Sequence, residues 1–372
     1  MEKASLQKSK LLVVKVGSRL VATETSIARK EWMASLAADI AALTQNGTQV
    51  VLVSSGAVAL GRATLKLGTG ALPLAEKQAA ASAGQPLLMQ AWAEAFTSQA
   101  IDVAQVLVTL EDTEERHRYL NARTTLQHLL QHKLVPIVNE NDTVATAEIK
   151  FGDNDRLAAK VAAMLGADTL ILLSDIDGLY DKNPSQHKDA KHIAVIETIT
   201  KEIEAMGGGA ASAFSNGGMI TKIEAAKIAT ASGCSVVIAK GEALHPLRAI
   251  IEGAKHSTFV ASESPINARK HWIQSALHLP GAIVVDAGAK IALSQGKSLL
   301  PAGVIAAKGS FDRGDTIGVE LQDGTLIAKG ISAYHASEVT KIMGKKSGDI
   351  AAILGYAGDD TVIHRDDLVM VV

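Results

Sequence analysis

Six short runs of continuously apolar residues punctuate the first 240 positions: LLVVKV at 11–16, QVVLV at 49–53, VAQVLV at 103–108, LVPIV at 134–138, TLILL at 169–173 and SVVIA at 235–239. None alternates polar with apolar, as strands with one wet face do, so they read as strands covered on both faces of a parallel sheet. A helical period separates the first two. Trp32, Leu36, Ile40 and Leu43 recur on one face, and Asn46-Gly47 supplies a stop. Strands alternating with such helices predict an α/β fold: a three-layer α/β/α sandwich around a mainly parallel sheet.

Beyond about 258 the pattern changes. SESPINARKHW at 262–272 is polar and reads as a connector or a last helix. From Pro280 the runs are short and broken by glycine, and VELQDGTLIAKG at 319–330 carries a hairpin signal at Asp323-Gly324. A second, small, mostly β domain is expected there. The divisions that follow are a first domain over 1–258, a connector over 259–279, the β domain over 280–358 and a tail over 359–372.

Composition narrows the reading. With 372 residues, 47% hydrophobic but only 3% aromatic, the chain can bury a sizeable core built from aliphatic side chains. A net charge of −2 singles out no polyanionic partner. The single cysteine, Cys234, opens an apolar run and reads as a buried thiol in a reducing compartment. The first ten residues lack an apolar stretch with a cleavage site, and LLVVKV is too short to span a bilayer. A cytoplasmic protein without a membrane partner is expected.

Several predicted strands end in polar or glycine-bearing segments: Lys15 and Gly17, Ser54-Ser55-Gly56, Asn139-Glu140-Asn141-Asp142 and Ser174-Asp175. Open α/β sheets bind ligands beyond the carboxyl ends of their strands, so these segments converge on one edge. Lys15 closes an otherwise apolar strand, and Lys222 follows the glycine-rich GGGAASAFSNGG at 207–218. Two cations among glycines suit a polyphosphate. Asp153-Asn154-Asp155 precedes a helical pattern, where a carboxylate can hold lysine ammonium groups. Asp142 and Asn154 suit the two charged ends of an amino acid. Two lookalikes are set aside: Gly296-Lys297-Ser298 lacks the first glycine of a P-loop, and His128 and His132 lack further metal ligands.

VVKVGS, VSSGA, NENDTVATAEIKFGDND, LLSDIDGLY and NGGMITK together resemble the amino-acid kinase family, in particular its glutamate-phosphorylating branch. IVVDAGAKIAL, SLLPAGV and GSFDRGD resemble a PUA domain. The resemblance covers nearly the whole chain. It implies transfer of the ATP γ-phosphoryl group to the side-chain carboxylate of L-glutamate, the first step toward proline, with Mg2+ accompanying the nucleotide. By position it implies that Lys15 and Lys222 contact the phosphates, that Asp155 organises them, and that Ser55, Asp142 and Asn154 hold glutamate. Ser174, Asp175, Asn216, Gly217, Gly218, Met219, Ile220 and Thr221 would border the nucleotide with the lysines. Proline as feedback inhibitor and a homo-oligomer are further implications. Asn216 and Arg19 depart from the usual pattern without removing a needed charge. Sister kinases acting on N-acetylglutamate or aspartate stay open as alternatives. RNA binding is disfavoured because residues 280–372 hold 9 Lys plus Arg against 11 Asp plus Glu.

Overall fold

A computed structural model describes residues 6–68, 70–145, 153–207 and 218–371, which form two compact units, Met1–Pro265 and Ile266–Val372. In chain order, the first unit contains strands β1 (Leu11–Val16), β2 (Gln49–Ser54), β3 (Val103–Val108), β4 (Val135–Glu140), β5 (Thr169–Ser174), β6 (Leu179–Tyr180), β7 (His192–Ile193), β8 (Val195–Ile196), β9 (Ser235–Lys240) and β10 (His256–Phe259). Its helices are α1 (Ser18–Val21), α2 (Lys30–Gln45), α3 (Ala57–Thr64), α4 (Leu74–Thr97), α5 (Arg116–Gln131), α6 (Asp153–Leu165), α7 (Lys201–Met206), α8 (Met219–Ala231) and α9 (Pro246–Ile251).

Eight strands build the main sheet in the order β3-β4-β2-β1-β5-β9-β10-β8. The six predicted runs pair in parallel, and the unforeseen β10 runs antiparallel to β9. Side chains of alternate residues point to opposite faces. Leu12, Val14 and Val16 therefore join Trp32, Leu36, Ile40, Trp92 and Phe96 from α2 and α4. Leu11 and Val13 join Leu157, Ala158, Ala225 and Ala226 from α6 and α8 on the other face. Burial on both faces holds for β1, β4 and β5 but not for β3, which is only partly covered because it is the edge strand.

Helices α3 and α4 touch through their backbones. A Cβ on Gly61 would stand 1.9 Å from the Ala80 carbonyl oxygen, and one on Gly84 would stand 1.9 Å from that of Ala57. Only glycine permits that approach, and it fixes α4 against the start of α3 directly after β2.

Helix α10 (Pro265–Ser275) occupies the stretch that reads as connector or helix. In the second unit β11 (Gly281–Val285), β12 (Val304–Gly309), β13 (Thr316–Glu320), β14 (Leu326–Ile331) and β15 (Leu368–Met370) form a five-stranded sheet in the order β12-β11-β13-β14-β15. Helices α11 (Ala287–Ser294), α12 (Ala336–Ile342) and α13 (Ile350–Leu354) accompany it, with Ile283, Ile317, Val319, Val339 and Ile342 in one core. The hairpin turn lies at Asp323-Gly324, where the Thr325 amide donates to Asp323 Oδ1 at 2.9 Å. The stretch 359–372 is more than a tail, since β15 pairs with β14 and completes the sheet edge.

Candidate active site

The pleat of β1 decides where its lysine goes. Lys15 shares the face of Leu11 and Val13, the side covered by α6 and α8. Asp155 sits in the first turn of α6 and Lys222 in the first turn of α8. All three side chains are buried, and the carboxylate bridges the two amines. Lys15 Nζ is 2.5 Å from Asp155 Oδ1 and Lys222 Nζ is 3.2 Å from Asp155 Oδ2. Thr221 Oγ1 donates to the same Oδ2 at 3.0 Å. Burial alone would push the Asp155 carboxyl upward, but the ammonium groups of Lys15 and Lys222 outweigh it and hold the carboxyl below its usual range. A cation at the start of a helix opposes the helix dipole. Lys222 therefore depends on Asp155, and the trio carries one net positive charge.

A second group of polar side chains gathers at the same sheet edge. The turn after β2 needs glycine at 56, whose φ of +123° admits few other residues. That turn presents Ser55. Ser54 turns inward to accept the Trp92 indole N–H at 2.9 Å. Asn154, next to Asp155 on α6, donates through Nδ2 to Ser55 Oγ at 2.6 Å and to Asn139 Oδ1 at 3.2 Å. Asn139, buried at the end of β4, donates in turn to Gln85 Oε1 on α4 at 2.8 Å. Asp142 lies two residues beyond β4, half-buried, and loss of solvent raises its carboxyl to about 6. Gly56 occupies the cap of α3 without a side-chain bond, so both serines precede the helix cap.

The remaining sequence-derived residues are distributed as follows. Ser174 ends β5 and donates to Asp175 Oδ1 at 3.0 Å, and the Gly241 amide bonds to the Ser174 carbonyl at 2.8 Å. Asp175 is exposed and lies 3.7 Å from the still more exposed Arg19 guanidinium. Gly218 caps α8, Met219 is half-buried and Ile220 is exposed. Asn216 and Gly217 lie outside the described residues. Cys234 is buried, which raises its thiol far above the ordinary range.

The model of the amino acid kinase family matches residues 10–240, well over half of the chain. The chain belongs to the amino acid kinase family. Its second unit also matches the PUA domain, over residues 281–354. Glutamate 5-kinase 1 of Rhizobium meliloti (strain 1021) is 55% identical over 366 residues, covering 98% of this chain and 93% of that one. Glutamate 5-kinase of Rhodopseudomonas palustris (strain BisB18) is 53% identical over 371 residues, covering 100% and 99%. Carbamate kinase from Giardia lamblia, solved with AMP-PNP bound, superposes with a TM-score of 0.50 at 16% identity, covering 69% of this chain and all of that one. That last likeness concerns the fold.

For a member of the amino acid kinase family, two of the contacts above carry no clear mark in the sequence. Gln85 sits inside a long helix, and only the following Pro86, unusual in a helix interior, hints at a special turn. Asn139 stands out as an amide closing an apolar strand, but its partners come from α4 and α6, 54 and 15 residues away. Thr221, expected beside the nucleotide, has its hydroxyl within hydrogen-bond distance of both Asp155 Oδ2 and the Gly218 carbonyl, at 3.0 and 2.9 Å.

Proposed function

We propose that the chain is a glutamate 5-kinase, transferring the γ-phosphoryl group of ATP to the side-chain carboxylate of L-glutamate. The observation that carries phosphoryl transfer is the buried Lys15–Asp155–Lys222 bridge at the carboxyl edge of the sheet. Similarity over nearly the whole length to proteins named glutamate 5-kinase supports glutamate as the acceptor.

The chemistry suits the residues. The glutamate γ-carboxylate is already an anionic nucleophile, so no general base is needed. One carboxylate oxygen forms a bond to the γ-phosphorus while the bond to the ADP oxygen breaks, giving γ-glutamyl phosphate and ADP. The difficulty is bringing one anion up to another, which calls for positioning and fixed positive charge. Lys15 and Lys222, held by Asp155, supply that charge where the transferring oxygens pass. Ser55, Asn154 and Asp142 hold the amino acid, with an ionised Asp142 on its ammonium. Ser174, Asp175 and the start of α8 border the nucleotide. Two amines and a carboxylate that both already use make a poor cage for a divalent ion, so Mg2+ arrives as part of the nucleotide substrate. Among the described residues no helix is long and apolar enough to cross a membrane. A cytoplasmic location, a homo-oligomer and inhibition by proline belong to the same reading.

The test is a hydroxylamine-trapping assay with MgATP and a panel of L-glutamate, L-aspartate and N-acetyl-L-glutamate. Acyl phosphate formed from glutamate and not from the other two is the expected result. Activity confined to aspartate or the acylated substrate overturns the reading.

A further inference from the structure

The pleat at the end of β2 sends its two serines to opposite sides. Ser54 follows Val50 and Leu52 onto the face covered by α2 and α4, and Ser55 follows Val51 and Val53 onto the face covered by α6 and α8. Ser54 and Trp92 are both fully buried. The Trp92 indole nitrogen lies 2.9 Å from Ser54 Oγ, and Ser54 Oγ lies 3.0 Å from the Ser55 carbonyl oxygen. Both ends of this chain have a fixed sense. An indole N–H can only donate and a carbonyl oxygen can only accept, so the Ser54 hydroxyl accepts from Trp92 and donates to Ser55.

The consequence falls on the next peptide. In a trans peptide the C=O and N–H point in opposite directions. Drawing the Ser55 carbonyl toward Trp92 on α4 therefore turns the Gly56 N–H toward the α6 face, where Asn154 Nδ2 meets Ser55 Oγ at 2.6 Å. A flip of this peptide would exchange the two groups and put a carbonyl oxygen where the N–H stands. Glycine makes such a flip cheap, since it would carry Gly56 from its φ of +123° to about −60°, a value open to any residue. The Ser55 amide bonds to the Val16 carbonyl at 3.1 Å, which anchors the start of the turn but not the plane of the peptide after it. The Ser54 hydroxyl holds that plane.

We infer that Trp92 and Ser54 are positioning residues for the acceptor: they lock the Ser55–Gly56 peptide so that an N–H, and not a carbonyl oxygen, faces a carboxylate of the amino acid beside Ser55. A carboxylate only accepts, so the locked form attracts it and the flipped form repels it. Trp92 acts at two removes from the substrate and only through Ser54. This rests on glutamate being the acceptor held beside Ser55.

The experiment measures kcat and the KM values for glutamate and ATP in the trapping assay at pH 8, for wild type, Ser54→Ala, Trp92→Phe and the double variant. Ser54→Ala removes the lock, and its glutamate KM rises about 2- to 10-fold, the worth of one neutral hydrogen bond, with kcat and the ATP KM nearly unchanged. Trp92→Phe keeps an aromatic ring in place but loses the donor. It raises the glutamate KM by a smaller factor in the wild-type background and not at all in the Ser54→Ala background, because a relay that is already cut has nothing left to lose. Repacking around the smaller ring would instead raise KM by the same factor in both backgrounds, and that result overturns the inference. So does a folded Ser54→Ala with an unchanged glutamate KM. Should Ser54→Ala fail to fold because it strands the buried indole N–H, the double variant, which has no such donor, takes its place; a glutamate KM above that of Trp92→Phe supports the lock, and one equal to it overturns it. A wild type inactive on glutamate overturns both the lock and the proposed activity.

Discussion

Asp155→Asn isolates what the central carboxylate does, because it keeps shape and removes charge. In the wild type one anion answers two buried ammonium groups at 2.5 and 3.2 Å. The amide leaves both cations uncompensated, and breaking a buried pair by removing one partner costs about 3–5 kcal/mol. Deprotonation sets a limit on that cost. Neutralising a lysine of ordinary pKa near 10.4 at pH 8 takes about 3 kcal/mol, so the penalty for one stranded ammonium saturates there. A domain of this size loses about 2–4 °C per kcal/mol, so the variant should melt about 6–12 °C below wild type at pH 8. The sign of the pH dependence follows. In the variant the native state holds fewer protons than the unfolded chain, so its stability rises with pH, and the deficit narrows by up to about 1.4 kcal/mol per unit between pH 7 and 9.

Nucleotide separates this from a purely structural carboxylate. If the two amines face the transferring phosphates, MgATP brings negative charge to them and offsets part of the penalty. The melting shift on adding MgATP should then be larger for Asp155→Asn than for wild type, while turnover falls because the amines lose their anchor. Thermal melts at pH 7, 8 and 9, with and without MgATP, provide the measurement. A variant melting within about 2 °C of wild type at every pH, or equal nucleotide-induced shifts in both proteins, refutes the reasoning.

Lys15→Ala or Lys222→Ala should each lower kcat about 10²- to 10³-fold, the usual loss for one well-placed donor, with the fold retained; near-normal turnover in either folded variant removes that lysine from the chemistry. Asp142, raised to about 6 by burial, lies above its unfolded value, so it costs the native state stability as pH rises from about 4 through 6. Asp142→Asn should therefore raise the melting temperature at pH 8 and not at pH 4, while the wild-type glutamate KM climbs as pH falls below about 6; a KM flat from pH 7 to 5 speaks against the assignment. Asp39 is buried on α2, lies 2.9 Å from His245 Nδ1, and accepts from the Leu247 and Arg248 amides at 3.0 and 3.1 Å. Asp39→Ala should cost about 2–4 kcal/mol in urea unfolding, and a loss below about 1 kcal/mol would show those contacts to be dispensable.

How much of this was legible in the sequence depended on the range of the signal. The central strands were readable because burial on both faces forces an unbroken apolar run, and α2 because its stripe repeats at 3.6 residues. β10 and β8 escaped, being two to four residues long and stable only as additions to an existing edge. The same holds for β15, whose three residues gain their partner from β14. At the site, Lys15 and Lys222 stood out as charges placed against local preference, and Asp155 as a carboxylate at a helix start. Their meeting is a product of topology, since 67 residues separate Asp155 from Lys222. Gln85 was invisible because an amide on a helix looks solvated until β4 and α6 are packed beside it.

The residues that depart from local rules are concentrated at one edge of the first sheet. Lys15 interrupts an apolar strand, Lys222 puts a cation at the wrong end of a helix, Asp142 holds a carboxyl against burial, and Asn154 keeps a buried oxygen unmet. Folding alone would favour replacing each of them. A sequence that specifies its structure consistently elsewhere tolerates such conflicts where a ligand resolves them. The four departures also predict the ligand's chemistry: negative charge for the two amines, a positive group for the carboxylate, a donor for the amide oxygen. A nucleotide phosphate together with an amino acid meets all of them at once, whereas a phosphate alone leaves the last two standing. That asymmetry is the physical reason to look for two substrates bound side by side at this edge.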